Sequence, residues 1–170
     1  VLHSLGVNGH TTKPWAELDF VLIGSPGIFC LEVKGGRVAR NSGVWEFTNR
    51  HGIVTTNNEG PFEQVAGATQ ALRNYMLTRL PQARRIVVGN GVVMPDILFE
   101  QDGPDINRNI LFDQTGATDF VGYLNDLSEY WHARFPRSST VSDLLKLAVL
   151  DAFRGDFEFV PRLGVTVEEV

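Results

Sequence analysis

Asp19, then Glu32 after a spacer of twelve residues, then Lys34 two positions on, put two carboxylates and an amine into one short stretch. They lie on two apolar, strand-type runs, residues 17–23 and 28–34, with Gly24-Ser25-Pro26-Gly27 between them. That pattern reads as an antiparallel hairpin. If Ile23 opposes Ile28, Asp19 falls opposite Glu32 and Glu17 opposite Lys34. Side chains on a strand alternate with a period of two, so these four share one face while Leu18, Phe20 and Leu22 take the other. Opposed like charges destabilise a sheet, and a carboxylate among apolar neighbours is costly unless neutralised. A cation is therefore expected at this face: the Lys34 ammonium, or a divalent metal, since carboxylate oxygens are the hard donors that Mg²⁺ takes. The plainer alternative is a solvated polar face on an exposed hairpin.

The elements that must position these groups follow from the rest of the chain. Strand-like residues 1–7 precede a polar loop that ends near Pro14, and the hairpin comes next. Gly35-Gly36 leads into further strand-like stretches at 37–40, 44–48 and 53–56, with Asn41-Ser42-Gly43 as a turn. Helical spacing takes over at Phe62, where Val65, Thr69, Leu72, Met76 and Leu80 repeat every three or four residues, with Pro61 at the start and Pro81 at the close. Residues 85–94 form a β-branched run broken by Gly89-Asn90-Gly91, read as one bulged strand or two short ones. Residues 109–112 give another strand. Amphipathic helices are expected at about 117–135 and 142–153, the second capped at Ser142-Asp143. The order predicts an α/β or α+β domain over residues 1–155, with a central mixed sheet flanked by helices. Residues 156–170 read as a connector.

Composition sets bounds. With 43% hydrophobic and 21% charged residues in 170, the chain suits one globular domain. No stretch is apolar enough for a membrane span and no signal-peptide pattern opens the chain, so it reads as cytoplasmic with no membrane partner. The first residue is not Met, and the sequence reads as a fragment whose first elements are missing. Cys30, between Phe29 and Leu31, reads as a buried structural thiol. The four histidines are scattered without zinc-ligand spacing, and no G-x-S-x-G marks a serine hydrolase. Trp15, Trp45 and Trp131 could stack bases, but single tryptophans beside apolar strands or helices read as core. The net charge of −5 argues against strong nucleic-acid binding. Its distribution softens this: residues 1–90 carry nine Lys/Arg against six Asp/Glu, and residues 91–170 carry six against fourteen.

Asp19…Glu32-Val33-Lys34 resembles the Asp…Glu-x-Lys signature of restriction-endonuclease-like nucleases. Its surroundings are more specific. Glu17-x-Asp19-Phe-Val-Leu-Ile, Gly27-Ile-Phe, Leu31-Glu-Val-Lys34-Gly-Gly, Gly43-Val-Trp45, Gly60-Pro-Phe-Glu-Gln64-Val-Ala and Val92-Val-Met-Pro95-Asp96 resemble, in order and spacing, the nuclease-related domain (NERD) family. The resemblance covers residues 1–95 and is loose beyond them. It implies a restriction-endonuclease-like fold, DNA as substrate and a following superfamily I helicase domain. Related nucleases usually take another carboxylate from a first helix, which is expected to lie upstream of Val1.

Phosphodiester hydrolysis needs an activated water, neutralised charge on the phosphoryl oxygens and a stabilised leaving oxygen. On this reading Asp19 and Glu32 hold one Mg²⁺ or Mn²⁺, helped by the carbonyl of Val33 as the resemblance implies. Lys34 orients the attacking water or stabilises charge; its other reading is neutralisation of Glu17. Glu17 is a base or further ligand, or only the partner of Lys34. Gln64 matches a family position and would hydrogen-bond phosphate or a metal-bound water. Gly35, Arg37 and Arg40 are candidate phosphate contacts, with a turn and solvated charge as the alternatives. The function read from this is metal-dependent DNA cleavage in a helicase-linked, DNA-processing protein. The alternative is a catalytically silent DNA-binding or partner-docking module.

Overall fold

The hairpin is the centre of the sheet. In a computed structural model that describes residues 1–8, 15–116 and 118–155, β2 (Trp15–Gly24) and β3 (Gly27–Val33) turn at Ser25-Pro26 with Ile23 opposite Ile28. This is the expected register. β1 (Leu2–Asn8) adds antiparallel to the free edge of β2. On the other side β3 runs parallel to β7 (Val88–Met94), and β7 parallel to β8 (Leu111–Asp113). The order β1-β2-β3-β7-β8 makes a mixed sheet, buried most deeply at β3 and β7.

Both faces of these central strands are covered, which is why their sequences run apolar without polar alternation. α1 (Pro61–Arg79) packs its stripe of Val65, Ala68, Leu72 and Met76 on one face. Pro at its first turn and the Leu80-Pro81 break set the expected bounds. On that face Cys30 is fully buried; burial pushes its thiol up to about 12, with the Thr69 hydroxyl offsetting only part of the rise. α2 (Phe120–Arg134) covers the other face. Gly89 and Gly91 make room for it: a Cβ on Gly89 would come within 2.5 Å of the Trp131 ring, and one on Gly91 would strike the Tyr123 hydroxyl. Trp131 Nε1 then donates to the Asn90 carbonyl at 2.8 Å. The glycines expected to break this strand thus leave it whole.

Two expectations shift. The strands after Gly36 do not extend the central sheet. β4 (Arg37–Asn41), β5 (Val44–Thr48) and β6 (Val54–Asn57) form a separate antiparallel sheet. Gly36 explains the departure: its φ of +80° turns the chain out of the plane, and a Cβ there would strike the Thr48 carbonyl. α2 begins at Phe120 rather than near 117, because the Asp119 carboxylate accepts the Gly122 N–H at 2.7 Å and caps it. α3 (Asp143–Arg154) starts at the expected Ser142 cap, whose hydroxyl accepts the Leu145 N–H. No helix among the described residues is long and apolar enough to cross a membrane. The polar loop before Trp15 and the connector at 156–170 lie outside the described residues.

Candidate active site

The site forms where β2 and β3 part. Their ladder ends at Phe20 opposite Leu31. In a regular continuation the next N–H on that edge, from Val33, would go to a β2 carbonyl. Instead it donates to Asp19 Oδ2 at 2.7 Å. A charged acceptor makes this bond stronger than the ladder bond it replaces, and it holds the carboxylate in the seam between the strands. The carbonyl of a strand residue leaves by the same edge as its N–H, so the Val33 carbonyl faces the seam as well.

Glu32 points to the α1 face and is buried. Lys34 Nζ donates to its Oε1 at 2.5 Å. The ammonium also lies 4.9 Å from the centroid of the Phe47 ring, so β5 supplies a second, softer partner. An exposed pair of this kind is worth at most about 1 kcal/mol. Here the carboxylate is only 9% exposed and the lysine 20%, so the pair is screened less by water than an exposed one.

The register does not carry on to pair Glu17 with Lys34. The Lys34 N–H goes to the Val93 carbonyl at 2.9 Å and its amine to Glu32. Neutralisation of Glu17 is thus not the role of Lys34 in this geometry. Glu17 and Glu32 nevertheless line one cavity of about 190 Å³, together with Trp15, Asn57, Gln64 and Ala68. Gln64 arrives from the first turn of α1, and its Nε2 donates to the Glu59 carbonyl at 2.8 Å, which fixes its amide plane. Among the described residues no three His, Cys, Asp or Glu side chains group as a ready-made metal cage. The oxygen donors on offer are two carboxylates and a main-chain carbonyl.

The other sequence candidates are placed less centrally. Gly35 is exposed in the turn after β3, and the adjoining Gly36 N–H already donates to Asp96 Oδ2 at 2.6 Å. Arg37 is exposed at the start of β4. Arg40 is not brought to the cleft: it pairs with Asp105 at 2.6 Å, lies 5.1 Å from the Trp45 ring centroid and lines a different cavity. Two residues on the cleft wall went unread in the sequence. Trp15, expected in the core, is 56% exposed. Its ring lies over Gly6 of the edge strand β1, and only the position of that glycine in the same register hints at it. Asn57, on the four-residue strand β6, has no sequence signal of its own.

The chain matches the family model of the nuclease-related domain over residues 1–95. No curated protein and no solved structure gives a match. The matched span takes in every strand that shapes the cleft and the whole of α1 behind it. It covers more than half of the sequence, and the chain therefore belongs to the nuclease-related domain (NERD) family.

Proposed function

We propose that the chain is a restriction-endonuclease-like nuclease that hydrolyses phosphodiester bonds in DNA with a divalent cation, Mg²⁺ or Mn²⁺. The observation that carries the reading is the pairing of two short bonds at one strand end: Val33 N–H to Asp19, and Lys34 to Glu32. They hold an acid from each strand and an amine at one end of the hairpin, where β3 is buried. The donor set is all oxygen, and a cation that keeps most of its waters needs only one or two carboxylates. Asp19, Glu32 and the Val33 carbonyl fit it. When bound, such an ion acidifies a water and offsets charge on the scissile phosphate.

The side chains around them would do the rest. Lys34 stands where an ammonium can orient the attacking water or meet negative charge on the phosphoryl oxygens. Gln64 has one N–H committed to Glu59; its second N–H and its carbonyl serve phosphate or water. Glu17, exposed on the cleft wall, would take a proton from the water. The exposed ring of Trp15 offers a face for an unpaired base. A helicase domain following the connector would add the DNA affinity that a chain of net charge −5 lacks.

The test is cleavage of single- and double-stranded DNA with Mg²⁺, Mn²⁺ or a chelator, in wild type and in Asp19→Asn, Glu32→Gln and Lys34→Met. Asn and Gln keep an oxygen for the Val33 N–H and for Lys34, so the fold is spared while the charge goes. Metal-dependent cleavage in wild type, falling at least about a hundredfold in each variant, is the expected result. DNA binding with no cleavage under any metal would overturn the reading in favour of a silent DNA-binding module.

A further inference from the structure

Five arginines line one cavity of about 660 Å³ that the carboxylate cleft does not use. Arg73 comes from α1, Arg84 and Arg85 from the single 3₁₀ turn after it, Arg134 from the end of α2 and Arg137 from the loop beyond. No acidic residue lines the cavity, and among the described residues none of the five is ion-paired with a carboxylate. Such a concentration of one charge, in a chain that is acidic as a whole, creates a local field that draws anions.

The guanidiniums are partly fixed in advance. Arg85 Nε donates to the Arg137 carbonyl at 3.3 Å, tying the two sides of the cavity together. The Arg134 guanidinium lies 3.5 Å from the centroid of the Tyr130 ring. Planar forks held in this way match phosphate oxygens two at a time. At the rim Phe135 is 42% exposed, its ring stacked on Trp131 with centroids 6.4 Å apart. A lone carboxylate would balance one of five charges; several linked phosphates with a flat ring attached balance more and use Phe135 too.

We propose that this cavity binds the phosphates of a nucleotide or of a nucleic-acid strand, with a base against Phe135. Its volume lies within the range of about 300–1,000 Å³ typical of ligand sites. It is separate from the cleavage site. Ile86 and Val87 lead into β7 at the end where β3 begins, as the Ile28 N–H to Val87 carbonyl bond shows. The carboxylates stand near the other end of β3, Glu32 being five residues on from Gly27, roughly 17 Å away along the strand. The proposal holds whether or not the chain cuts DNA.

Binding of pyrophosphate, of ATP and of a labelled single-stranded oligonucleotide to the whole chain, wild type against Arg84→Glu/Arg137→Glu, tests it. Both side chains are exposed, and circular dichroism checks the fold of the variant. Loss of pyrophosphate and ATP affinity by about tenfold or more supports the site with a free nucleotide as the source of phosphate. If the two small ligands do not bind but the oligonucleotide weakens by as much, with a shallower salt dependence, the source is a nucleic-acid backbone. Oligonucleotide binding unchanged by the double substitution, together with no binding of either small ligand, overturns the proposal. Binding of pyrophosphate and ATP is read without added divalent metal, which separates this result from the fate of the cleavage reading.

Discussion

Single residues decide the character of the site. Asp19 accepts a main-chain N–H and Glu32 an amine, so each acid has a donor of its own. Lys34 therefore has a structural part that can be separated from chemistry. Replacing it by Met keeps the stem against Phe47 and removes the charge. Urea unfolding at pH 7 should show a loss of roughly 1–3 kcal/mol. Unchanged stability at neutral pH would mean that the pair is a solvated contact with no structural weight. The acids and the lysine were legible in the sequence because a strand's two-residue period fixes which side chains share a face. Their partners were not. Whether Lys34 turns to Glu17 or to Glu32 depends on where the ladder stops, and the ladder stops because the Asp19 side chain intercepts the Val33 N–H. Trp15 was misread for a related reason: an aromatic next to an apolar strand has the composition of core, and only Gly6, its diagonal neighbour on β1, leaves room for its ring at the sheet edge.

At the scale of elements, strong periodicity gave reliable bounds and weak strands did not give their partners. α1 follows from its apolar spacing and its two prolines, and the central hairpin from its turn. The small sheet β4-β5-β6 was expected as strands but not as a sheet apart, since the departure rests on the positive φ of a single glycine. β8 shows how a short element is secured by one side chain. At its end the Asp113 carboxylate accepts the Thr115 hydroxyl at 2.6 Å, the Thr115 N–H at 2.9 Å and, across the loop, the Phe99 N–H at 3.1 Å. Burial opposes its ionisation. The hydrogen bonds from Thr115 and Phe99, with Arg108 nearby, outweigh burial and hold the carboxyl below its usual range. A carboxyl with a lowered folded pKa contributes stability that is complete above its unfolded value of about 3.9 and is lost as pH falls through the lower folded value. Asp113→Asn should accordingly be less stable than wild type at pH 7, with the gap closing as pH falls below about 4. A gap that stays constant with pH would assign the loss to packing instead of charge.

For the molecule as a whole, the two ends of the sheet differ in charge. Acids gather where β3 finishes and arginines gather where it starts, and the helix α1 runs between them, with Gln64 in its first turn and Arg73 farther along. Counting charge along the sequence shows a basic first half and an acidic second half, and so conceals the arginine cavity, which draws Arg134 and Arg137 from the acidic half. Tertiary folding brings them to Arg84 and Arg85; no local pattern encodes it. The acidic end carries the central claim, that Asp19 and Glu32 together hold one divalent cation. Titration of Mn²⁺ followed by its electron paramagnetic resonance signal measures this directly, in wild type and in Asp19→Asn and Glu32→Gln, each checked for an unchanged thermal unfolding curve. The account expects one bound ion per chain in wild type and none in either variant. Equal Mn²⁺ binding in all three proteins, or none in wild type, would contradict it.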